Sequence, residues 1–221
     1  KFNSHKKMFK FIILIPSFNE EKSLLKILKK IKNFQVQIID DYSSDNTYKI
    51  VKNLKNVSIF RNKKNIGYEQ SLIKGFDLLK NSNFNYIITM DADGEHSTNN
   101  LKKIVKFCCK YNPDLVIGNR FRKNRFSESI LSYLFKLRFN ILDPLSGFKA
   151  YKLNKLYFTL KKNKIRKYFL VDLLVNFIKL KMIVKTINIK TNLKPKRSSK
   201  VGGLFYVNFK IFLCLKFILF K

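Results

Sequence analysis

The chain has 221 residues, 46% of them hydrophobic, so it is long and apolar enough for one well-packed domain and is not a disordered chain. Its 46 Lys and Arg residues outnumber 14 Asp and Glu residues and give a formal net charge of +32. A charge of this sign favours nucleic acid, an anionic membrane surface or a phosphorylated substrate as a partner. The lysines are spread along the whole sequence and accompany many Asn, Ile and Phe residues. A/T-rich coding together with a solvated surface therefore explains the charge equally well.

The chain has three cysteines, of which Cys108 and Cys109 are adjacent and Cys214 is distant. An odd number with this spacing predicts neither a disulfide framework nor a spaced metal site, and it fits a reducing, cytoplasmic compartment. The apolar segment 9–16 is short and leads into a polar turn rather than a small-residue cleavage site, so no secretory signal is predicted. The first seven residues carry little weight, because Met8 could be an alternative start.

Apolar runs and helical patterns alternate along the first half of the chain. The runs predict strands at residues 11–15, 36–39, 57–60, 86–90 and 115–117, and the patterns between them predict helices at 21–33, 47–54, 68–79 and 99–111. In the first helix Leu24, Leu28 and Ile31 share one face while the lysines face outward, as in a surface helix on a sheet. This alternation predicts an α/β fold with a mostly parallel sheet, covered by helices on both faces, that binds ligands at the carboxyl ends of its strands.

Three polar segments follow predicted strands: PSFNEE at 16–21, DDYSSDNT at 40–47 and DADGEH at 91–96. Taken singly, each has a structural explanation, the first as a turn into a helix and the second as a loop with a helix cap at Asp45 or Thr47. Their joint placement at successive strand ends favours a shared ligand site.

Asp91 and Asp93 carry the strongest chemical signal. Being two residues apart, they project to the same side of an extended chain where a buried strand emerges into solvent. At roughly 5 Å and an effective dielectric of about 20, two carboxylates repel by about 3 kcal/mol, so the pair is favourable mainly with a cation between them. Oxygen ligands suit Mg²⁺ or Mn²⁺. The alternative is a polar turn that caps the next helix through Ser97 or Thr98.

The pattern loosens after residue 117. A basic stretch precedes a helical run at 130–139, and the segment DPLSGFK at 143–149 follows it. A second α/β passage then predicts a helix at 169–180 and a strand at 183–189, followed by a basic loop at 194–200. No domain boundary is evident, so residues 1–203 are predicted to form one domain.

Residues 204–220 form an apolar run of 17 residues that Asn208, Lys210 and Lys216 interrupt. The run is short for a membrane span, which needs about 20 apolar residues, and a lysine at mid-bilayer would cost about 3 kcal/mol. The pattern favours an amphipathic helix over residues 204–221 that lies on an anionic membrane surface. The alternative is a helix packed on its own domain or on a partner subunit of a homo-oligomer.

Six segments occur in a fixed order along the chain: PSFNEE at 16–21, DD with Ser43 and Asp45 at 40–45, NIG at 65–67 with Gly75, DAD at 91–93, GNRF at 118–121 and SGF at 146–148. In order and spacing this set resembles glycosyltransferase family 2, and more narrowly the branch that contains dolichyl-phosphate mannosyltransferase and bacterial polyprenyl-phosphate glycosyltransferases. The resemblance runs from about residue 11 to residue 203, and its specificity lies in the ordered set. It implies a GT-A fold over residues 1–203, in which a Rossmann-like nucleotide-binding half and an acceptor-binding half share one mixed, mostly parallel sheet.

The resemblance also implies roles for residues near the first two strands. Pro16, Phe18 and Glu20 would line a pocket for the base and ribose of a nucleotide sugar. Asp41, together with the backbone near Ile39, would hold the base.

The metal motif of the family falls on Asp91, Ala92 and Asp93, which would bind the nucleotide sugar through Mg²⁺ or Mn²⁺. Glu95 could add a third carboxylate to the metal shell. His96 also matches a family position, and it is expected to support the acids or cap a helix rather than to react.

The implied chemistry needs positive charge, because transfer from a nucleotide sugar leaves a nucleoside diphosphate. Asp93 would act through the metal, and Arg120 could pair with phosphate oxygens through its planar fork. Lys200 and Arg197 lie in the region where similar enzymes carry a basic phosphate loop. The chain departs from the usual pattern here, since no glycine precedes the final Ser-Lys pair, and Lys194 or Lys196 could replace Arg197.

These features predict an inverting, metal-dependent glycosyltransferase that moves a hexose from a UDP- or GDP-sugar to a polyprenyl phosphate, as a peripheral protein on the inner face of the cell membrane. An alternative of the same fold acts on a saccharide hydroxyl of a surface polysaccharide, and Asp143 would then be its general base rather than a structural turn residue. Nucleic acid is not predicted as a partner, because no nucleic-acid-binding signature is present and acids at the strand ends would repel phosphate. A non-catalytic binding module would not need the intact metal motif.

Overall fold

The computed structural model describes residues 9–52, 54–94, 96–120, 126–162 and 169–191, with residues 126 and 127 described for their backbone only. These ranges contain strands β1 (Phe11–Ser17), β2 (Gln35–Asp40), β3 (Val57–Arg61), β4 (Tyr86–Thr89), β5 (Leu115–Arg120), β6 (Lys149–Lys152) and β7 (Val184–Ile189). The helices are α1 (Glu21–Lys30), α2 (Thr47–Val51), α3 (Tyr68–Leu79), α4 (Thr98–Tyr111), α5 (Phe126–Phe139), α6 (Leu153–Lys162) and α7 (Phe169–Lys179).

All seven strands belong to one sheet with the order β3-β2-β1-β4-β6-β5-β7. Within the described ranges, β6 is the only strand that runs against the others, since it pairs antiparallel with both β4 and β5. The remaining pairs, β1 with β2 and β4, β2 with β3, and β5 with β7, are parallel. The carboxyl ends of six strands and the start of β6 therefore lie along the same edge of the sheet.

The core consists of two apolar layers, one on each face of the sheet. Alternating side chains of β1 divide between them, so that Leu14 packs with α3, α5, α6 and α7, while Ile13 packs with α1, α2 and α4. Helix α1 buries Leu24, Ile27 and Leu28 against the second layer and turns its lysines to solvent. The predicted mostly parallel sheet with helices on both faces is confirmed.

The predicted elements of the first half are present, with ends that differ by a few residues, and α3 has its predicted bounds. Helix α1 stops three residues before its predicted end at residue 33, and α5 begins four residues before its predicted start at residue 130. Strand β6 and helix α6 were not predicted. The predicted helix over 204–221 lies outside the described residues. Among the helices that are described, none combines the length and apolarity that a membrane span requires.

Candidate active site

The polar segments after β1, β2 and β4 lie at the ends of neighbouring strands along the same edge of the sheet. Strands β1 and β4 are neighbours, but the chain continues from β1 towards β3 on one side and from β4 towards β7 on the other. Such a switch point leaves a crevice outside the carboxyl ends of the strands, where ligands of open α/β sheets bind. The placement of Asp91 and of the loops after Ser17 and Asp40 at this crevice agrees with the expectation from sequence.

Hydrogen bonds join the loop after β1 to the loop after β2. The backbone N–H of Asn19 donates to Ser43 Oγ over 3.0 Å, and the N–H of Glu20 donates to Thr47 Oγ1 over 2.9 Å. In return, the N–H of Ser44 donates to Asn19 Oδ1 over 2.8 Å. Asn19 has a φ of 54°, a left-handed conformation that asparagine tolerates better than most residues. The two loops are therefore held as one unit.

The residues predicted to line a base and ribose pocket lie on this unit. Pro16 is buried at the end of β1 and is paired with Ile39 of β2. Phe18 and Glu20 follow it and are partly exposed. The Glu20 carboxylate accepts a short hydrogen bond from the Ser23 hydroxyl at the start of α1.

Asp41 is buried and organises the approach to α3. Its Oδ1 accepts hydrogen bonds from the Ile66 N–H over 2.8 Å and from Asn62 Nδ2 over 2.9 Å, and its Oδ2 accepts one from the Gly67 N–H over 2.8 Å. Gly67 has a φ of 87°, which a side chain would strain, so the glycine suits the turn into α3. Asp41 thus anchors a third loop beside the crevice, a contact that the sequence had not indicated.

Asp40 and Arg61 form a further ion pair that sequence reasoning missed. Asp40 is fully buried, and its Oδ2 lies 3.3 Å from Arg61 Nε. Burial raises the pKa of Asp40 above its usual range, although hydrogen bonds from Ser43 and the charge of Arg61 act in the opposite direction. The Arg61 guanidinium also donates to the Ser43 carbonyl over 2.8 Å and lies over the rings of Tyr42 and Tyr48. Through its contacts with Asp40 and the Ser43 carbonyl, Arg61 stabilises the loop that follows β2.

Asp91 is held from three sides. Tyr68 donates its hydroxyl hydrogen to Asp91 Oδ1 over 2.7 Å, and His96 Nε2 lies 3.6 Å from Oδ2. On the third side the backbone of Gly147 comes so close that a Cβ there would lie 2.5 Å from both carboxylate oxygens. Thr89 donates to the Gly147 carbonyl over 2.7 Å and so fixes this approach.

This environment keeps Asp91 anionic. Burial alone would raise the pKa of Asp91, but the His96 ring and the Tyr68 hydroxyl outweigh it and hold the pKa below its usual range. Burial and the neighbouring Asp91 charge in turn raise the pKa of Tyr68 well above its usual range, so Tyr68 remains a hydrogen-bond donor. The His96 ring is buried and stacks on Phe148 with ring centroids 4.9 Å apart.

The donor chemistry at this point fits a divalent cation. Asp93 lies two residues beyond Asp91 in the turn after β4 and is partly exposed, and the intervening Ala92 is buried. Among the described residues no group of three His, Cys, Asp or Glu side chains converges as a complete metal cluster, and Glu95 lies outside those residues. Mg²⁺ sites commonly use one or two carboxylates and take their other ligands from substrate phosphates and water. Two carboxylates beside an open crevice satisfy that requirement.

The start of α4 carries a serine cap. Ser97 is the N-cap residue, and its Oγ accepts a hydrogen bond from the Asn100 N–H over 3.4 Å. The alternative explanation of the acidic turn, a cap at Ser97 or Thr98, therefore holds for Ser97.

A second polar cluster centres on Arg120 at the end of β5. Arg120 Nε donates to Asp143 Oδ2 over 2.7 Å and Nη2 donates to Oδ1 over 3.1 Å, which makes a bidentate pair. Glu128 of α5 lies 3.8 Å from Nη2. Burial lowers the pKa of Arg120, but the hydrogen bonds and charge of Asp143 outweigh it and raise the pKa, so Arg120 stays charged. Asp143 is the partner of an arginine here rather than an isolated carboxylate.

Lys149, the first residue of β6, is the unexpected member of this cluster. It is almost fully buried, and its Nζ donates to the Pro144 carbonyl over 2.9 Å. Burial lowers the pKa of Lys149 to about 8, although the nearby charge of Asp143 opposes the shift. Nothing in the sequence separates this lysine from the many on the surface. The predicted phosphate-loop residues Arg197 and Lys200 lie outside the described residues.

The sheet order, with one antiparallel strand and an acid pair at the switch point, is that of the GT-A fold of glycosyltransferases. A solved structure with this fold is glucosyl-3-phosphoglycerate synthase from Mycobacterium tuberculosis in complex with Mn²⁺, uridine diphosphate and glucosyl-3-phosphoglycerate. It matches 96% of this chain and 81% of its own with a TM-score of 0.74. The identity is 15%, so this likeness establishes the fold alone.

The sequence profile of glycosyl transferase family 2 matches residues 12–173, and the chain therefore belongs to this family and is a glycosyltransferase. It is 25% identical to the UDP-N-acetylglucosamine–dolichyl-phosphate N-acetylglucosaminyltransferase of Methanococcus voltae, over 90% of this chain and 92% of that protein. It is also 28% identical to the dolichol-phosphate mannosyltransferase of Pyrococcus furiosus, over 64% of this chain but only 46% of that protein. The predicted family is confirmed.

Proposed function

We propose that this glycosyltransferase moves a hexose from a UDP- or GDP-sugar to a polyprenyl phosphate at the cytoplasmic face of the membrane. The observation that carries the proposal is the anionic Asp91, fixed by Tyr68, His96 and Gly147 at the switch point with Asp93 beside it. A phosphate oxygen of the acceptor attacks the anomeric carbon, the bond from that carbon to the diphosphate breaks, and the configuration inverts.

The donor nucleotide binds at the joined loops after β1 and β2. Pro16, Phe18 and Glu20 line the base and ribose pocket in this proposal, and Asp41 with the backbone at Ile39 holds the base. The hydrogen bonds between the two loops support this role, because a pocket wall that is fixed before binding loses little entropy when the ligand arrives.

Asp91 and Asp93 would hold Mg²⁺ or Mn²⁺, Ala92 would belong to the nucleotide-sugar site, and Glu95 would be a further ligand. When bound, the cation would act as a Lewis acid that stabilises the developing charge of the nucleoside diphosphate. The residues around Asp91 orient its carboxylate. Tyr68 and His96 bind it from the protein side, which leaves other lone pairs of the carboxylate for the cation.

Arg120, Lys200 and Arg197 supply positive charge for phosphate oxygens. Asp143 uses two of the five N–H donors of Arg120 and fixes the plane of its guanidinium, so the remaining donors have a set direction. Lys149 holds the Pro144 carbonyl and thereby positions the loop that carries Asp143.

The pairing of Asp143 favours a phosphate acceptor over a saccharide hydroxyl. A hydroxyl needs a general base, and the candidate for that role is bound in a bidentate pair with Arg120. A phosphate monoester is already anionic at pH 7 and needs cations rather than a base. The names of the two curated relatives, both transferases to a dolichyl phosphate, support the same choice.

A panel of UDP- and GDP-hexoses, incubated with the protein and a polyprenyl phosphate, tests the proposal. We expect one donor to give a lipid-linked sugar that mild acid releases, with the anomeric configuration opposite to that of the donor. If an alkali-stable glycoside forms, and only with a saccharide acceptor, then the acceptor is a saccharide hydroxyl and not a lipid phosphate. Transfer from no donor to either acceptor would overturn the proposal.

A further inference from the structure

Helix α5 exposes a stripe of apolar side chains to solvent. Ile130, Tyr133 and Leu137 are 40%, 61% and 66% exposed, and their spacing places them on one face of the helix. We call these three residues the α5 stripe. The opposite face is also apolar, because Leu131 and Phe135 are fully buried in the core.

A helix that carries apolar side chains on two opposite faces normally buries both of them. Helix α1 gives the comparison within this molecule, because the face opposite its buried leucines carries the exposed Lys22, Lys26, Lys29 and Lys30. Helix α5 has no such polar outer face over the α5 stripe. Its outer face is therefore suited to an apolar environment rather than to water.

The charges around the α5 stripe are basic. At about 100° per residue, the stripe spans about 60° of the helix, and the exposed Lys136 and Arg138 lie on opposite sides of it. The only acidic residue in the sequence of α5, Glu128, is largely buried and lies beside Arg120. An apolar stripe between two cations is the pattern of a helix that lies in a membrane interface.

We propose that the α5 stripe docks on an anionic lipid bilayer. Its three side chains enter the boundary between headgroups and acyl chains, and Lys136 and Arg138 lie at the level of the lipid phosphates. A second copy of the chain suits this face less well. A two-fold contact would bring the same basic flanks together in a protein of formal net charge +32, and three side chains offer far less than the roughly 800 Å² per partner of a stable interface.

The position of α5 suggests a role for this docking in transfer to a lipid acceptor, and that role rests on the function proposed above. Arg120 precedes α5 in the chain and Asp143 follows it, and Arg120 contacts both Asp143 and Glu128 of α5. Glu128 lies on the side of α5 opposite the stripe, so a bilayer that holds the α5 stripe is separated from the Arg120 cluster by about one helix diameter, roughly 10 Å. Docking through the α5 stripe would therefore keep the enzyme at the bilayer surface where a lipid phosphate is presented.

Fluorescence tests the contact directly, because the chain contains no tryptophan. Tyr133→Trp places a single reporter in the α5 stripe, and Tyr111→Trp places a matched one on α4, where Tyr111 is 52% exposed. Full-length variants are mixed with vesicles of phosphatidylglycerol and phosphatidylcholine. We expect a blue shift and quenching by brominated acyl chains for the first variant and neither for the second.

Three results would overturn the proposal. If the protein floats with vesicles while the reporter at position 133 is unchanged, another segment binds the membrane. If that reporter is already shielded without vesicles and the shielding grows with protein concentration, a second copy covers the stripe. If it is shielded at every concentration, a segment of the same chain covers it.

A charge variant gives the size of the effect. Leu137→Glu should lower the affinity for anionic vesicles at least about tenfold in flotation, because it puts a carboxylate between the basic flanks. Leu78→Glu is the matched control on α3, where Leu78 is also exposed, and it should have a much smaller effect. Equal affinities of the two variants would contradict the proposal.

Failure of this inference and failure of the proposed function are separable. Transfer to a short, water-soluble isoprenyl phosphate should be equal for Leu137→Glu and wild type, while transfer to a long-chain acceptor in vesicles should fall in the variant. Vesicle binding by the α5 stripe without any transfer would leave the docking intact and reject the function. Transfer to the polyprenyl phosphate without vesicle binding by the α5 stripe would support the function and reject the docking.

Discussion

The two halves of the sheet edge build their polar sites in different ways. At the ends of β1 and β2, the loops are joined to each other by hydrogen bonds from backbone N–H groups to small side chains such as Ser43 and Thr47, while the nearby carboxylates of Asp40 and Asp41 are buried. At the end of β5 and the start of β6, the polar site is formed by charged side chains, because Arg120 is paired with Asp143 and the buried Lys149 donates to the Pro144 carbonyl. Loss of one of these small side chains should therefore be tolerated better than loss of one member of the Arg120–Asp143 pair.

Asp143→Ala should give the largest loss of stability. It leaves Arg120 charged and largely buried without its bidentate partner, which typically costs about 3 to 5 kcal/mol. Ser43→Ala removes the hydroxyl that accepts from the Asn19 N–H and also hydrogen-bonds Asp40 in the other region, and it should cost about 2 kcal/mol. Urea unfolding at pH 7 measures both.

The double variant Arg120→Met with Asp143→Leu controls for the loss of charge. It removes both ions and should be more stable than Asp143→Ala alone. The contrast between the regions would be wrong if Asp143→Ala and Ser43→Ala cost the same.

Lys149 should make stability depend on pH above neutrality. Its pKa is about 8 in the folded protein and about 10.4 in an unfolded chain. Between these values the unfolded state binds more protons, so stability rises with pH over that window, by roughly 3 kcal/mol in total, and the penalty for burying the charge is fully present below pH 8.

The difference in unfolding free energy between wild type and Lys149→Met isolates this effect, because other titrating groups cancel. We expect wild type to gain on the variant as the pH rises from 8 to 10. If the difference in unfolding free energy stays constant from pH 8 to pH 10, burial does not lower the pKa of Lys149 in the folded protein.

Gly147→Ala should impair transfer while the protein remains folded. The added methyl group would meet both oxygens of Asp91, and a displacement of about 1 Å at a reacting centre can cost about a hundredfold in rate. Gly75→Ala is the matched control, since its methyl group would meet the flexible Leu14 side chain in the core instead. Gly75→Ala should lower the free energy of unfolding by about 1 to 3 kcal/mol but leave the transfer rate of the folded enzyme unchanged. If the steady-state transfer rate falls equally in Gly147→Ala and Gly75→Ala, the close approach of Gly147 to Asp91 has no specific role in transfer.

Ser97→Ala should have the smallest effect. Loss of the cap of α4 costs about 1 kcal/mol of stability, and transfer by the folded enzyme should be unchanged because the N-cap residue is Ser97 rather than Asp91 or Asp93. Thermal unfolding together with an activity assay at saturating donor checks both parts. A large loss of activity at full stability would show that the cap and the acid pair act together.

The same contrast explains what could be predicted from sequence. The first half follows simple periodicity, because each strand is an apolar run and each helix has one apolar face, so α3 could be predicted with its observed bounds. Strand β6 could not, since Lys-Ala-Tyr-Lys has no apolar run and gains its place only by pairing with β4 and β5.

The site divides in the same way. Asp91 and Asp93 could be found because their spacing and their position after a strand are local properties of the chain. The burial of Lys149, the pair of Asp40 with Arg61 and the approach of Gly147 to Asp91 depend on contacts between distant segments. In a chain with 46 Lys and Arg residues, one buried lysine has no signature of its own.

The central claim is that Asp93 acts in transfer through a divalent cation, and Asp93→Asn tests it most directly. With the donor and polyprenyl phosphate identified by the panel, wild type should require Mg²⁺ or Mn²⁺ and lose activity with a chelator. Asp93→Asn should transfer about a hundredfold more slowly, while Asp77→Asn, the same change at an exposed position on α3, should match wild type. Transfer by Asp93→Asn at the wild-type rate, or full wild-type activity in the chelator, would contradict the account.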